Sequence, residues 1–370
     1  MSRHPECMDV VICHQSIVPY DAIGNDIAEM HRLLQSRFAA AVYGNFVSFP
    51  GVDPVDAGAL DALIARPENL LIYHHSIYWA EGEEILRRAK ARIVVRYHNI
   101  TPQSFFEAYD DTLYALCRQG REQTMRLKML LPDALWMADS AHNLREAGLE
   151  SLARTVVVPP FHAIERWGRT VPDEPVLRGL VESDRLNLLF VGRLVPSKEV
   201  GLLIRSVADH AIAYGRPLRL HVVGAPLAEG DAYHREMQRL VEWLGLEDRV
   251  HLVGRVDDPT LLAYYLGSDY FVCASAHEGF CVPLVEAQAL RLPIIARDVP
   301  AVRETLGGDQ LCLGAAPEEY SAAIETLVRN PHYRRWLIER GLENFERRFA
   351  LPRIAERFWR ALDAVIAEAA

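Results

Sequence analysis

Two glutamates in one short stretch are of the type that binds a ligand carrying hydroxyl groups. Glu278 and Glu286 flank a turn that follows the apolar run 270–273, and Pro283 between them marks the start of a helix. The amides at such a helix start attract an anion, and Gly279 lets a ligand approach the backbone closely. Because a phosphate repels a carboxylate, we expect both glutamates to face neutral hydroxyls. A nucleotide sugar offers these on both sides of its diphosphate, on the sugar and on the ribose.

An earlier loop carries two cations that suit a diphosphate. Arg193 and Lys198 follow the apolar run Leu186–Val191 and Gly192, and precede a helix predicted over 199–214. Arginine binds phosphate oxygens in pairs, whereas lysine acts as a mobile point charge. Taken alone, this pattern is equally typical of a solvated loop.

These two motifs resemble those of the retaining glycosyltransferases of family 4 (group 1), which have the GT-B fold. The stretch from Glu278 to Glu286 resembles the E-x7-E motif of that family, and Gly192-Arg193 with Lys198 resembles its diphosphate-binding pair. The resemblance covers nearly the whole chain and is best over 187–290. It implies an α/β protein with two Rossmann-like parallel-sheet domains that face each other across a cleft.

The resemblance also implies a role for individual residues. Arg193 and Lys198 would stabilise the leaving nucleoside diphosphate, while Glu278 would hold sugar hydroxyls. Glu286 would hold the ribose, and His98, at the end of a strand of the first domain, would contact the donor sugar. The implied catalytic set is His98, Arg193, Lys198 and Glu278, and the implied donor-binding set is Gly24, Gly192, Arg193, Lys198, Glu278, Gly279, Phe280, Cys281, Val282 and Glu286. No cofactor and no metal ion is expected.

Two positions differ from the family pattern. Gly24 is a single glycine where many members have two, and Cys281 replaces the glycine or proline often found in that loop. We predict that Gly24 lies just before a helix over 27–38, capped by Asn25 or Asp26, where the backbone can approach a phosphate. A plain turn glycine is an equally good interpretation of the residue alone.

Three histidines of the first half follow predicted parallel strands. His74 and His75 end the run that starts at Leu70, and His98 follows a strand predicted over Arg92–Tyr97. Because the carboxyl ends of parallel strands meet at one edge of a sheet, we expect these histidines to lie at that edge. A metal site is disfavoured, because no carboxylate or cysteine accompanies them at ligand spacing.

Composition and length limit the classes of protein. The chain has 370 residues and a formal charge of −10, enough length for two domains and too acidic for general nucleic-acid binding. We predict a first domain over 1–165 joined by the terminal helix 349–370, a linker over 166–185, and a second, nucleotide-sugar-binding domain over 186–348. Residues 1–6 lack a signal-peptide pattern, and six scattered cysteines without C-x-x-C are typical of a reduced protein, so a cytoplasmic location is expected.

Rival functions lack their motifs. The chain has no dinucleotide-binding or P-loop glycine pattern, no zinc-protease H-E-x-x-H and no G-x-S-x-G. Two alternatives stay open: another GT-B enzyme, such as a nucleotide-sugar epimerase, or a non-catalytic nucleotide-sugar-binding protein. The expected acceptor is a saccharide or a lipid-linked saccharide of the cell envelope. A basic helix over 117–131, with Arg118, Arg121, Arg126 and Lys128, is either a plain surface helix or a face for an anionic membrane.

Overall fold

The structure is a computed structural model that describes residues 8–367. The amino-terminal pattern at residues 1–6 and Cys7 lie outside the described residues. Contacts divide the chain into two compact units. Unit 1 contains the chain up to residue 103, residues 112–163 and the segment from Leu351, and unit 2 contains residues 104–111 and 164–350.

Unit 1 is built around a six-stranded parallel sheet. Its strands and helices are β1 (Asp9–Cys13), β2 (Ser16–Ile17), α1 (Ala22–Leu34), β3 (Ala39–Tyr43), β4 (Phe46–Val47), α2 (Ala57–Ile64), β5 (Leu70–His75), α3 (Ala80–Arg88), β6 (Arg92–Tyr97), α4 (Asp111–Leu130), β7 (Leu135–Ala138), α5 (Ala141–Glu146) and β8 (Thr155–Val157). The sheet order is β3-β1-β5-β6-β7-β8, and β2 pairs with β4 separately. Burial on both faces explains why these strands are near-continuous apolar runs.

Unit 2 repeats this plan with a second six-stranded parallel sheet. Its elements are α6 (Ile164–Trp167), α7 (Glu174–Val181), β9 (Leu186–Val191), α8 (Val200–Tyr214), β10 (Leu218–Val223), α9 (Ala232–Trp243), β11 (Val250–Gly254), α10 (Asp258–Gly267), β12 (Tyr270–Cys273), α11 (Val282–Ala289), β13 (Ile294–Arg297), α12 (Pro300–Leu306), β14 (Leu311–Leu313), α13 (Pro317–Arg329) and α14 (Pro331–Arg348). Among the described residues, no helix has both the length and the apolar character needed to cross a bilayer.

The last helix, α15 (Leu351–Ala367), belongs to unit 1. Its buried stripe of Ile354, Phe358, Leu362 and Val365 packs in the same cluster as β1 and β5 residues such as Val10 and Ile72. The stripe has the three- and four-residue spacing of a helix with one apolar face. The helix therefore completes a core that begins more than 300 residues earlier in the sequence.

The strand order of unit 2 explains where a ligand would bind. The order is β11-β10-β9-β12-β13-β14, so the sheet is wound outward in both directions from the neighbours β9 and β12. In such sheets ligands bind beyond the carboxyl ends of the strands, where the winding direction reverses. The loops that follow β9 and β12 contain Lys198 and Glu278, and the topology thus brings the two predicted motifs to one place.

The segment predicted as a linker, 166–185, is not irregular. It contains the end of α6 and all of α7, whose start is capped by Asp173 and carries Pro175 in its first turn. Proline inside the first helical turn is compatible with a helix, because its missing amide has no partner there in any case. Pro175 is thus a helix-start signal rather than a sign of a linker.

Candidate functional site

The loop after β9 is held against the loop after β12 by its backbone. The amide of Ala276 donates to the carbonyl oxygen of Ser197 over 2.9 Å. Residues Pro196–Lys198 form a single 3-10 turn, which ends at Glu199 in the left-handed conformation. This turn places the Lys198 side chain beside the second loop, rather than out in solvent as the plain-loop interpretation would have it.

Lys198 and Glu278 form the central contact of the site. The Lys198 Nζ lies 2.6 Å from the Glu278 Oε1, and the Ser275 hydroxyl donates to the same oxygen over 2.7 Å. Burial favours the neutral forms, but the opposite charges more than offset it, so the pKa of Lys198 is raised and the pKa of Glu278 is lowered. Both groups are therefore ionised at neutral pH and form a true ion pair.

Arg193 is the exposed cation of this site. Its guanidinium has no partner in the described part of the chain, in contrast to Lys198 on the same loop. The loop starts at Gly192. A Cβ atom on Gly224 would come within 1.9 Å of the carbonyl oxygen of Gly192. Close contact between these backbones thus requires glycine at 224, a requirement that the motif itself did not reveal.

The loop from Glu278 to Cys281 is held in place by contacts with α12 and with Phe349. The Thr305 hydroxyl of α12 donates to the carbonyl oxygen of Phe280 over 2.6 Å. The Phe280 ring packs edge-on against Phe349 with centroids 5.4 Å apart. These contacts hold the backbone in place at the point where it reverses direction before α11.

Cys281 adopts an unusual backbone conformation. It precedes α11 with φ 72° and ψ 75°, in the left-handed region, where a non-glycine residue costs about 1–2 kcal/mol. The family's glycine at this place would adopt this conformation without strain. Of the first three helical residues only Val282 offers a free amide, because Pro283 has none and Leu284 donates to the Cys281 carbonyl oxygen. The helix start thus provides fewer anion donors than a typical one.

Glu286 lies in the second turn of α11. The helix begins at Val282, so Glu286 starts the second turn and not the first. It is buried, and its Oε2 accepts a hydrogen bond from the Tyr265 hydroxyl over 2.7 Å. Burial raises the pKa of Glu286 to about 7, although the Tyr265 hydrogen bond acts in the opposite direction. Sequence reasoning missed Tyr265, because nothing in the spacing relates it to a residue 21 positions away.

Arg297 is a further candidate that the sequence analysis missed. It ends β13, next to β12 in the sheet, and its Nη1 lies 3.1 Å from a Glu199 oxygen. The same nitrogen donates to the carbonyl oxygen of Ala274 over 3.4 Å. An arginine that directly follows an apolar strand at the ligand-binding edge was the available signal.

In unit 1, His98 belongs to a buried polar network. Its Nδ1 lies 3.1 Å from an Asp139 carboxylate oxygen, and its Nε2 lies 2.7 Å from the Nδ1 of His74. Asp26 also lies within 4 Å of both histidines. The fully buried Arg96 joins both carboxylates, at 3.1 Å from each. Burial, together with the neighbouring charges, lowers the pKa of His74 well below its ordinary value, so this ring is neutral.

The prediction that no carboxylate accompanies these histidines was wrong. A carboxylate does accompany them, because Asp26 on α1 has a ligand atom within 4.8 Å of those of His74 and His98. The Arg96 guanidinium occupies the same carboxylate, however, and already supplies the positive charge that a metal would bring. His75 lies apart from the cluster, with its Nε2 2.8 Å from the Thr124 hydroxyl.

The predicted position of Gly24 was also wrong. Helix α1 begins at Ala22, capped by the Asp21 carboxylate, which accepts from the amides of Ile23 and Gly24. Gly24 thus lies inside the first turn, and a Cβ there would come 2.0 Å from the carbonyl oxygen of Val18. Glycine is required at 24 by this contact within the chain. Asp26, one of the two predicted caps, is buried against Arg96 instead.

The cations of α4 have partners within unit 1. Arg121 lies 3.1 Å from Glu146, and Arg126 lies 3.0 Å from Glu83. Lys128 donates to the carbonyl oxygens of Ala147 and Gly148. Helix α4 therefore presents fewer free charges than its sequence suggests.

Comparison with known proteins finds a family match within unit 2. Residues 178–344 match the family model described as "Glycosyl transferases group 1". The predicted resemblance to the group 1 glycosyltransferases is confirmed. The D-inositol 3-phosphate glycosyltransferase of Geodermatophilus obscurus is 33% identical over 244 residues, which are 63% of this chain and 52% of that protein. That of Rhodococcus erythropolis is 29% identical over 267 residues, 70% and 60% of the two chains. The chain spans about half the length of the curated relatives it matches.

Solved structures match over almost the whole chain. Sucrose-phosphate synthase from Thermosynechococcus elongatus has a TM-score of 0.76 at 17% identity and covers 98% of this chain and 100% of its own. Anabaena HepE in complex with UDP-glucose has a TM-score of 0.74 at 16% identity, with 96% and 99% covered. At these identities the likeness shows the fold, which is GT-B with two parallel-sheet domains, as predicted.

Proposed function

We propose that the protein is a retaining, metal-independent glycosyltransferase. It moves a hexose, of the mannose or glucose type, from a GDP- or UDP-sugar to a saccharide or lipid-linked acceptor in cell-envelope polysaccharide synthesis. The observation that carries this proposal is the Lys198–Glu278 ion pair at the point where the winding of the unit 2 sheet reverses. A cation and a carboxylate held there match the two ends of a sugar diphosphate.

The ion pair keeps both groups charged before the donor arrives. Glu278 holds the half-buried Lys198 in its ammonium form, and a diphosphate would give that ammonium a second anionic partner. Arg193, exposed and unpaired among the described residues, is free to bind the same diphosphate. As negative charge develops on the leaving phosphate, these fixed cations stabilise it, and the loss of one such group typically costs about 3 kcal/mol of barrier.

Glu278 and Glu286 divide the hydroxyl groups of the donor. Glu278 has one oxygen shared between Lys198 and Ser275, and its other oxygen would accept from sugar hydroxyls. Glu286 has its Oε2 occupied by Tyr265, and its Oε1 would accept from the ribose. Tyr265 thus acts as a positioning residue for the ribose contact.

The remaining predicted roles belong to the same proposal. Gly192, Gly279, Phe280, Cys281 and Val282 shape the two donor loops, and their backbone would line the diphosphate. For His98, a contact with the donor sugar stays a prediction, as does donor binding for Gly24, whose amide Asp21 already occupies. No protein base is assigned, because the departing phosphate can take the proton of the acceptor hydroxyl.

The comparisons support the choice of donors and acceptors to test. HepE was solved with UDP-glucose, and the curated relatives are named for D-inositol 3-phosphate. We would therefore offer UDP-, GDP- and ADP-sugars with three acceptors: a saccharide, a lipid-linked saccharide and D-inositol 3-phosphate. Released nucleoside diphosphate and the glycosylated product are measured together.

The assay distinguishes the proposal from its alternatives. Transfer with an unchanged anomeric configuration by NMR, which EDTA does not diminish, is the expected result. Epimerised sugar without transfer would indicate the epimerase, and donor binding without turnover a non-catalytic protein; either outcome overturns the proposal. Lys198→Ala should abolish most turnover, whereas Lys90→Ala, a change at an exposed lysine of unit 1, should leave it intact.

The proposal includes a peripheral position at the cytoplasmic face of the membrane. On α4, Arg121, Arg126 and Lys128 are engaged within unit 1, and Arg118 lies 3.9 Å from Glu122. A cation near anionic lipid contributes about 1 kcal/mol, so several free ones are needed. Co-sedimentation with anionic vesicles at low and high salt tests this part, and failure to bind would remove it without affecting the transferase assignment.

A further inference from the structure

Two cysteines that are eight residues apart meet beside the Lys198–Glu278 pair. Cys273 ends β12, and Cys281 directly precedes α11, so the loop between them returns to its starting point. Their sulfur atoms and a carboxylate oxygen of Glu278 all lie within 4.8 Å of one another. Cys273 is buried, while Cys281 is partly exposed and gives access from solvent.

We propose that Cys273, Cys281 and Glu278 form a binding site for a thiophilic divalent cation such as Zn²⁺. Zinc binds cysteine sulfur at about 2.3 Å and carboxylate oxygen at about 2.0–2.2 Å in a tetrahedral arrangement. Two sulfur atoms bound to one zinc ion lie about 3.8 Å apart. The sulfur atoms of Cys273 and Cys281 lie within 4.8 Å of each other, so they can reach this separation with a small shift. The fourth position would hold water. Hard cations such as Mg²⁺ prefer oxygen ligands and find one carboxylate here, so they are not expected to bind.

The charge balance suits a site that already contains an ammonium. When the ion binds, each thiol releases one proton, so a divalent cation and two thiolates replace two neutral thiols. The net charge of the cluster is unchanged, and Lys198 meets no additional repulsion. Glu278 then has to divide its oxygens between Lys198 and the ion.

The strained backbone at Cys281 fits this interpretation. Cys281 adopts the left-handed conformation, and its side chain makes no hydrogen bond that caps α11. The side chain therefore does not stabilise the start of the helix. What the side chain does provide is a sulfur atom within 4.8 Å of that of Cys273. Glycine would relieve the strain, and only cysteine supplies the second sulfur ligand.

Binding of the ion would interfere with the donor, and this consequence alone rests on the proposed function. Glu278 cannot coordinate zinc and accept from sugar hydroxyls with the same oxygens. We therefore expect zinc to weaken the binding of the donor sugar and to slow transfer. The same ion would not be a cofactor, and removing it should raise activity.

The metal site can be tested without any activity measurement. The full chain, reduced with a phosphine, is titrated with Co²⁺ and the sulfur-to-metal charge-transfer and visible bands are recorded. Zinc affinity is then measured by competition with a chromophoric chelator. We expect one equivalent of tightly bound zinc, tetrahedral cobalt bands, and no competition by a large excess of Mg²⁺.

Variants separate this site from adventitious binding by thiols. Cys281→Gly removes one ligand and relieves the left-handed strain, so it should remain folded and lose more than about a hundredfold in zinc affinity. Cys281→Ser and Glu278→Gln should weaken binding in the same assay. Cys312→Ser changes a partly exposed cysteine on β14 and should change nothing. Full zinc affinity in Cys281→Gly, or an equal loss in Cys312→Ser, would overturn the proposal.

Nucleotide-sugar binding is followed in a separate calorimetric experiment, with and without one equivalent of zinc. Weaker donor binding with zinc is the expected result. If zinc binds and the donor affinity is unaltered, the inhibitory consequence is overturned. If the protein binds zinc but no nucleotide sugar at all, the proposed function fails and the metal site stands.

Discussion

The two units carry charged clusters of opposite design. In unit 1, Arg96, Asp26 and Asp139 are all buried, and the guanidinium joins both carboxylates. In unit 2, Lys198 keeps a fifth of its side chain exposed beside Glu278, and Arg193 has no partner among the described residues. The first cluster is closed, with its cation fully used, whereas the second keeps cationic charge available.

This difference distinguishes a structural charge network from a binding site. A buried charge that loses its partner is strongly destabilising, so a closed network of this kind serves the fold. A half-exposed pair can exchange its partner for a ligand at little cost. The same residue types therefore imply different functions. The exposure of the charged groups, and whether a charge is left without a partner, decide which function applies.

Breaking the closed cluster should have the largest effect. Arg96→Met leaves Asp26 and Asp139 buried without a cation, and we expect the free energy of unfolding to fall by about 3–5 kcal/mol. Urea denaturation followed by tryptophan fluorescence measures it. Arg118→Met, at an exposed arginine of α4, should cost less than about 0.5 kcal/mol. Equal stability of the two variants would show that the buried network is not structural.

Breaking the open cluster should affect turnover more than stability. Lys198→Ala and Arg193→Ala should each lower kcat about a hundredfold, or about 3 kcal/mol, because each removes a cation from the leaving diphosphate. Together they should cost less than the sum, since both act on one group. Steady-state kinetics at saturating donor test this, with Arg205→Ala on the exposed side of α8 as the control. Near-full turnover in either single variant would remove its assigned role.

Glu286 is a buried carboxylate with no cationic partner among residues 8–367, so its protonation should make the stability depend on pH. Its pKa is raised to about 7, so the folded state prefers the protonated form. The stability that this preference gives is complete below the ordinary pKa near 4.5 and is lost as the pH rises through 7. Glu286→Gln should therefore be more stable than the native protein by up to about 3 kcal/mol at pH 8 and by much less at pH 5.

Thermal unfolding at both pH values measures this effect of Glu286→Gln. Glu247→Gln, at an exposed position, is the matched control for the loss of a carboxylate. A constant difference between native protein and Glu286→Gln across this pH range would contradict the raised pKa.

The smallest expected effect concerns ligand affinity. Glu286→Ala removes the acceptor assigned to the ribose, and hydrogen bonds to a charged group are worth roughly 1.5–3 kcal/mol. Calorimetry with UDP and GDP at pH 8, where the native carboxylate is ionised, should show affinity reduced by about ten- to a hundredfold. Unaltered affinity in a folded variant would exclude the ribose assignment.

Elements that depend on local sequence were predictable, whereas contacts between distant residues were not. The predicted bounds of β6, β9 and β12 agree with the structure, because a strand buried on both faces is a near-continuous apolar run. Helix α1 starts five residues earlier than predicted, since Asp21 caps it in place of Asn25 or Asp26. Helix α9 and strand β14 were not predicted at all.

The site was predictable as two loops but not as a set of contacts. Residue types and order identified Lys198 and Glu278, and the winding of the sheet brought them together. The Tyr265–Glu286 bond and the Cys273–Cys281 contact depend on how α10 and the loop before α11 pack, which no motif spacing encodes. The proximity of Asp26 to His74 and His98 likewise depends on how α1 packs against the sheet, so it could not be predicted from the sequence.

The position of α15 in unit 1 affects the order in which the two units can fold during synthesis. Because Ile354 and Phe358 complete a core that includes Val10, that core stays open until the last helix has been made. Residues 164–350 are synthesised before that helix, and the core that they form needs no residue after 350. The second unit is thus free to fold first, whereas the core of unit 1 closes only after α15 has been synthesised.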